Sequence, residues 1–107
     1  MAPGLGPLTA RIGYPEHMAG LSIAVVLDSA PTHPYHIATM AAIGHAAAAL
    51  SLSPDTLVTP SDTLVDPGAV EAYAAIVIGP GSPYRAPEAV LAMIRAARER
   101  GVPLVGT

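Results

Sequence analysis

The chain has 107 residues, 51% of them hydrophobic and 12% charged, with a net charge of −3. That is too apolar for a disordered segment and lacks the basic stripe of a nucleic-acid surface. Cysteine is absent, which excludes disulfides and thiolate metal sites, and no apolar run is long enough to span a membrane.

Residues 1–20 are rich in proline and glycine and follow neither a helical nor a strand period, so they read as an N-terminal arm. The opening Met1-Ala2-Pro3-Gly4-Leu5-Gly6-Pro7 lacks the basic-then-apolar layout of a signal peptide. A cytoplasmic location is the expectation. Residues 21–107 read as an α/β domain. Ser22 to Leu27 is a continuous apolar run, as in a parallel strand buried on both faces. Two prolines make Ser29 to Tyr35 a loop. His36 to Leu50 turns helical, with Ile37, Met40, Ile43, Ala47 and Leu50 on one stripe. Its alanines and Gly44 make it thin enough to pack closely on a sheet.

Asp55 to Thr59 reads as a second strand, and Pro60 to Leu64 as a turn. Pro67 to Tyr73 fits one helical turn with proline in its first turn. Ala74 to Ile78 is a third buried strand. Pro87 to Arg100 is a second helix with Val90, Leu91, Ile94 and Ala97 facing inward. Gly101 stops it, and Leu104-Val105 form a fourth strand. This alternation predicts a parallel sheet with helices on its faces, a flavodoxin-like three-layer α/β sandwich. Ligands of such sheets bind beyond the carboxyl ends of the strands. Asp28, the segment Gly79 to Arg85 and Thr107 all fall at that edge.

The most specific motif is Gly79-Pro80-Gly81-Ser82-Pro83-Tyr84-Arg85, between a buried strand and a helix. Glycine lets backbone approach a ligand closely, and backbone N–H groups stabilise a developing oxyanion. His33 and His36 lie near prolines without a carboxylate cluster, so capping or surface roles outrank a metal site. Asp28 reads as a loop-start residue, and His45 as solvent-facing. Ser82 is not in a nucleophile elbow, and the glycines do not extend to a dinucleotide fingerprint.

The order strand, PGSPYR loop, helix and Val102-Pro103-Leu104-Val105-Gly106-Thr107 resembles the class I glutamine amidotransferases. It looks closest to the amidotransferase-like domain of CTP synthase and its stand-alone relatives. Ile23-Ala24-Val25-Val26, His36-Ile37-Ala38-Thr39 and Pro60-Ser61-Asp62-Thr63-Leu64 extend the likeness. The resemblance implies that residues 21–107 are the first half of the domain, with the nucleophilic cysteine expected just after Thr107. It assigns the oxyanion-loop backbone to Gly81 and Ser82, and substrate binding to Pro83, Tyr84 and Arg85.

The implied reaction is amide or acyl hydrolysis or transfer through a thioester, on glutamine or a related small amide or acyl compound. The implied partner is the rest of the domain, as a second chain or segment. No cofactor, metal, nucleic acid or membrane is called for, and a homo-oligomer stays open. Without cysteine, the 107 residues alone would be inactive. The alternative is a non-catalytic α/β module that binds a small molecule at the same rim.

Overall fold

The computed structural model describes residues 21–64 and 66–107. The arm expected over residues 1–20 lies outside the described residues. Four strands form one all-parallel sheet: β1 Ser22–Val26, β2 Asp55–Val58, β3 Ala75–Ile78 and β4 Leu104–Gly106. Their order is β2-β1-β3-β4. The chain runs outward from β1 to β2, crosses back past β1, and continues through β3 to β4. The direction of winding therefore changes between β1 and β3, and in open α/β sheets a crevice for ligands opens there.

Helix α1, Pro34–Ala49, joins β1 to β2, and helix α2, Pro87–Arg100, joins β3 to β4. Two 3-10 turns, Ser61–Thr63 and Pro67–Ala72, link β2 to β3. Alternation along the strands sends successive side chains to opposite faces. On one face Ala24, Val26, Ile76 and Ile78 pack with Val70 of the second turn and with Val90, Met93, Ala96 and Ala97 of α2. On the other face Val77 and Val105 look toward α1. Within β1, a central strand, Ala24, Val25 and Val26 are all at 0% exposure. Small side chains serve there because the strand is covered from both sides.

The helix starts and stops follow local chemistry. Pro34 sits in the first turn of α1, where its missing N–H costs nothing. The helix thus begins earlier than a loop through Tyr35 would allow. His33 caps it, its Nδ1 accepting from Tyr35 N at 3.1 Å. Gly101 ends α2 in the left-handed conformation at φ 72°, and Val102 N donates to Ala97 O at 2.9 Å. Arg98 and Arg100 suit this negative helix end.

Two helix faces differ from expectation. In α1 the buried residues are His36 and Thr39, whereas Ile37 and Leu50 are 56% and 68% exposed. An alanine-rich helix is apolar all round, so its pattern does not select a face. The inward polar groups are satisfied locally: His36 Nδ1 donates to Ser29 O at 3.2 Å and Thr39 Oγ1 to Tyr35 O at 2.7 Å. Gly44 faces open space and is not the point of close packing. In α2, Leu91 is 67% exposed, while Met93 and Ala96 are buried beside Val90 and Ala97. The small Ala96 and Ala97 let the helix lie close to the sheet on a face rotated from the Leu91 side.

Candidate functional site

The rim beyond the carboxyl ends of the strands is organised by one carboxylate. Asp28 follows the central strand and accepts from two other loops. Its Oδ1 takes Ser61 N at 2.7 Å, and its Oδ2 takes Ser61 Oγ at 2.7 Å and Arg85 N at 2.8 Å. The Ser61 hydroxyl in turn accepts Ala86 N at 2.9 Å. Arg85 closes the ring, its Nη2 donating to Asp28 O at 3.0 Å. The other guanidinium nitrogen lies 3.7 Å from Asp62, an exposed pair.

Ala86 stands at the N-cap position of α2, where its own side chain offers no acceptor. Ser61 and Asp28 supply acceptors there from distant loops. A helix N-terminus carries partial positive charge, so a carboxylate is favoured at that end. Burial raises the Asp28 pKa. The amide hydrogen bonds from Arg85 and Ser61, the Ser61 hydroxyl and the Arg85 charge outweigh it and hold the carboxyl below its ordinary value.

The segment Gly79 to Arg85 is anchored at both ends. Gly79 N donates to Val26 O at 2.9 Å, and Gly79 O accepts from Tyr84 Oη at 2.9 Å. A Cβ on Gly79 would overlap Leu27, so only glycine lets the backbone pass that close. At the far end Arg85 N is held by Asp28. Between the anchors, Gly81 adopts φ 142°, a conformation open to glycine and costly for other residues. The Ser82–Pro83 peptide is cis. Among the described residues, neither Gly81 N nor Ser82 N donates to a protein acceptor.

A cavity of about 380 Å³ lies in front of this loop, lined by Asp28, Ser29, His33, Tyr35, Gly81, Ser82, Pro83 and Arg85. Of the residues singled out in the sequence, Gly81, Ser82, Pro83 and Arg85 thus border one space. Tyr84 does not. Its ring packs against the buried cluster and its hydroxyl is spent on Gly79 O, so it supports the loop from behind. Arg85 borders the cavity, but part of its donor capacity goes to Asp28 O.

Tyr35 also borders a second, apolar groove of about 430 Å³ between α1 and the β3–β4 face, lined by Ala42, Ile43, Val77, Val105 and Thr107 among others. Thr107 extends the β3–β4 pairing, its N donating to Ile78 O at 3.0 Å. This sets the end of β4 beside the start of the Gly79 loop.

Sequence alone did not reveal the confinement of Gly79 by Leu27, the part played by Ser61, or the hydrogen-bonding role of Asp28. Asp28 lies 33 residues from Ser61 and 57 from Arg85, a separation that no local pattern reports. Ser29 Oγ is buried and has no partner among the described residues. Two of the three described histidines fit the capping or surface roles read from the sequence, and His36 departs from them. His33 is a cap and His45 is exposed, while His36 is buried against Ser29. Among the described residues no three His, Asp or Glu side chains gather as a metal site would require. No described helix is long and apolar enough to cross a membrane. The chain matches no protein-family model, no curated protein and no solved structure.

Proposed function

We propose that this chain forms part of a cysteine-dependent, class I glutamine amidotransferase-like enzyme of the CTP-synthase-like kind, in which the Gly79 to Arg85 loop supplies the oxyanion donors. The observation that carries the reading is the pair of amides at Gly81 and Ser82, which have no protein acceptor among the described residues and border a cavity at the winding switch between β1 and β3. Attack of a thiolate on a side-chain amide or acyl carbon makes a tetrahedral oxyanion. Fixed N–H donors stabilise that charge without reorganising. Collapse releases ammonia or another leaving group and leaves an acyl thioester, which water or an amine resolves.

The nucleophile belongs to a cysteine outside these 107 residues, since the chain contains none. It is contributed by the rest of the domain, as a following segment or a second chain. The substrate is glutamine or a related small amide or acyl compound, and the location is the cytoplasm. The lack of cysteine also favours a second reading, a non-catalytic module that holds a small molecule in the same cavity.

The test is steady-state kinetics of the assembled enzyme. A Cβ placed on Gly81 would meet open space, so Gly81→Val acts through the φ 142° backbone and not through a clash at that atom. Turning the two amides away should lower kcat by about a hundredfold or more with the fold retained by circular dichroism. Ser82→Ala, which keeps its N–H, should stay near wild type. A folded Gly81→Val enzyme with unchanged kcat overturns the oxyanion assignment. Binding without turnover in every assembly favours the module.

A further inference from the structure

We infer that Asp28 is the positioning residue of this site: its carboxylate, by holding Arg85 N, sets the loop that presents the Gly81 and Ser82 amides. The inference rests on the functional reading above and adds a residue to it. Among the described residues, every group that hydrogen-bonds the Asp28 side chain is a donor: Ser61 N, Ser61 Oγ–H and Arg85 N. Only a side chain that accepts on both oxygens satisfies them, and an ionised carboxylate does so. Asparagine would turn an NH₂ toward a backbone N–H. Protonated aspartic acid would do the same with an O–H. The hydroxyl of Ser61 can rotate in response, but the two backbone donors cannot.

The loop is held mechanically at its two ends. Gly79 is fixed to Val26 O, and its carbonyl to Tyr84. Release of Arg85 N therefore loosens one end of a short segment, where the Tyr84 ring against the core and the Arg85 guanidinium on Asp28 O remain as ties. Gly81 and Ser82 lie between, with no protein acceptor of their own among the described residues to keep them in place. Their direction thus depends in part on the anchor at Arg85, beside the support from Tyr84. The strands do not share this dependence, because β1 and β3 are joined by their own backbone ladder.

Among the described residues, the charged and titratable groups around Asp28 are few. Arg85 reaches its carbonyl, Asp62 pairs with Arg85, and His33 borders the same cavity. His36 bonds the adjoining Ser29 carbonyl. The acid limb of the loop's order should accordingly track the Asp28 carboxyl signal, and its loss in Asp28→Asn separates Asp28 from Asp62.

The experiment uses the full chain labelled with ¹⁵N and ¹³C. In wild type, the Ser61 and Arg85 amide signals should move together with the Asp28 carboxyl signal as pH falls, and Gly81 and Ser82 should follow. In Asp28→Asn that titration should vanish, and hydrogen exchange across residues 79–86 should rise by about tenfold or more, with β1 and β3 unchanged. In the assembled enzyme, Asp28→Asn should lower kcat by about tenfold or more with KM within about twofold. Asp28→Glu, which keeps the acceptor charge, should recover part of the loss.

Unchanged Gly81 and Ser82 signals in Asp28→Asn overturn the inference. So does exchange that rises equally in the strands, and so does a kcat that ignores Asp28 in an enzyme damaged by Gly81→Val. If Asp28→Asn fails to fold, the wild-type titration decides alone. An assembled enzyme that never turns over sinks the amidotransferase reading, while the loop signals still judge the role of Asp28.

Discussion

Replacing Gly79 with alanine puts one methyl group into the tightest point of the loop's entry. The added Cβ would overlap Leu27 Cδ2, lie 3.0 Å from Leu27 Cγ and lie 3.3 Å from Val26 O. The backbone oxygen cannot retreat, because it already accepts Gly79 N in the continuation of the β1–β3 ladder. Leu27 must move instead, and at 1% exposure it has no free space to enter. Forcing a packed side chain off its rotamer typically costs about 1–3 kcal/mol. Leu27→Ala alone should cost about 2–5 kcal/mol, through lost burial and the cavity it leaves. The two effects share one cause, so they should not add. Removing Leu27 beyond Cβ makes room for the new methyl, and the double variant should be more stable than the sum by about 1 kcal/mol or more. Urea unfolding of the four proteins, followed by far-ultraviolet circular dichroism, measures this coupling. Additivity within about 0.5 kcal/mol would refute the claim that Leu27 is what confines position 79 to glycine. As a contrast, Gly81→Ala meets no neighbour and carries only its φ penalty, so Leu27→Ala should not relieve it.

The folded value of the Asp28 carboxyl is depressed, so its contribution to stability is present above the ordinary value of 3.8 and is lost as pH falls through the lower folded value. The stability gap between wild type and Asp28→Asn, measured by urea midpoints from neutral to strongly acid solution, should therefore narrow only in that acid range. A gap that stays constant there contradicts the assignment. In α2, Met93→Ala should destabilise by about 2–5 kcal/mol, since the side chain is 4% exposed. Leu91→Ala should stay within about 0.5 kcal/mol at 67% exposure, and equal losses for the two would show that the buried face is wrong.

Much of the architecture is written locally. The apolar runs at Ser22 to Leu27 and Ala74 to Ile78 needed no distant information to read as buried strands, although on β3 Ala75 and Val77 are only half-buried. Pro87 and Gly101 bracket α2 because proline suits a first turn and glycine suits the left-handed cap. Both are properties of single residues. The alternation of strands and helices then leads to a parallel sheet, and a parallel sheet puts the loops after β1 and β3 at one rim. The motif of Gly81, Ser82, Pro83 and Arg85 was legible for the same reason, since it is contiguous. Helix faces were less so. In α1 alanine makes every side apolar, and the buried His36 and Thr39 are tolerated because Ser29 O and Tyr35 O pair with them. The inward turn of Tyr84 is likewise set by the carbonyl it meets. Above all, the partners of Asp28 are decided in three dimensions. A carboxylate accepts whichever donors arrive, and Ser61 and Arg85 arrive because β2 and β3 flank β1 on opposite sides. Strand order, a long-range property, is therefore what turns an ordinary loop aspartate into the tie between three loops.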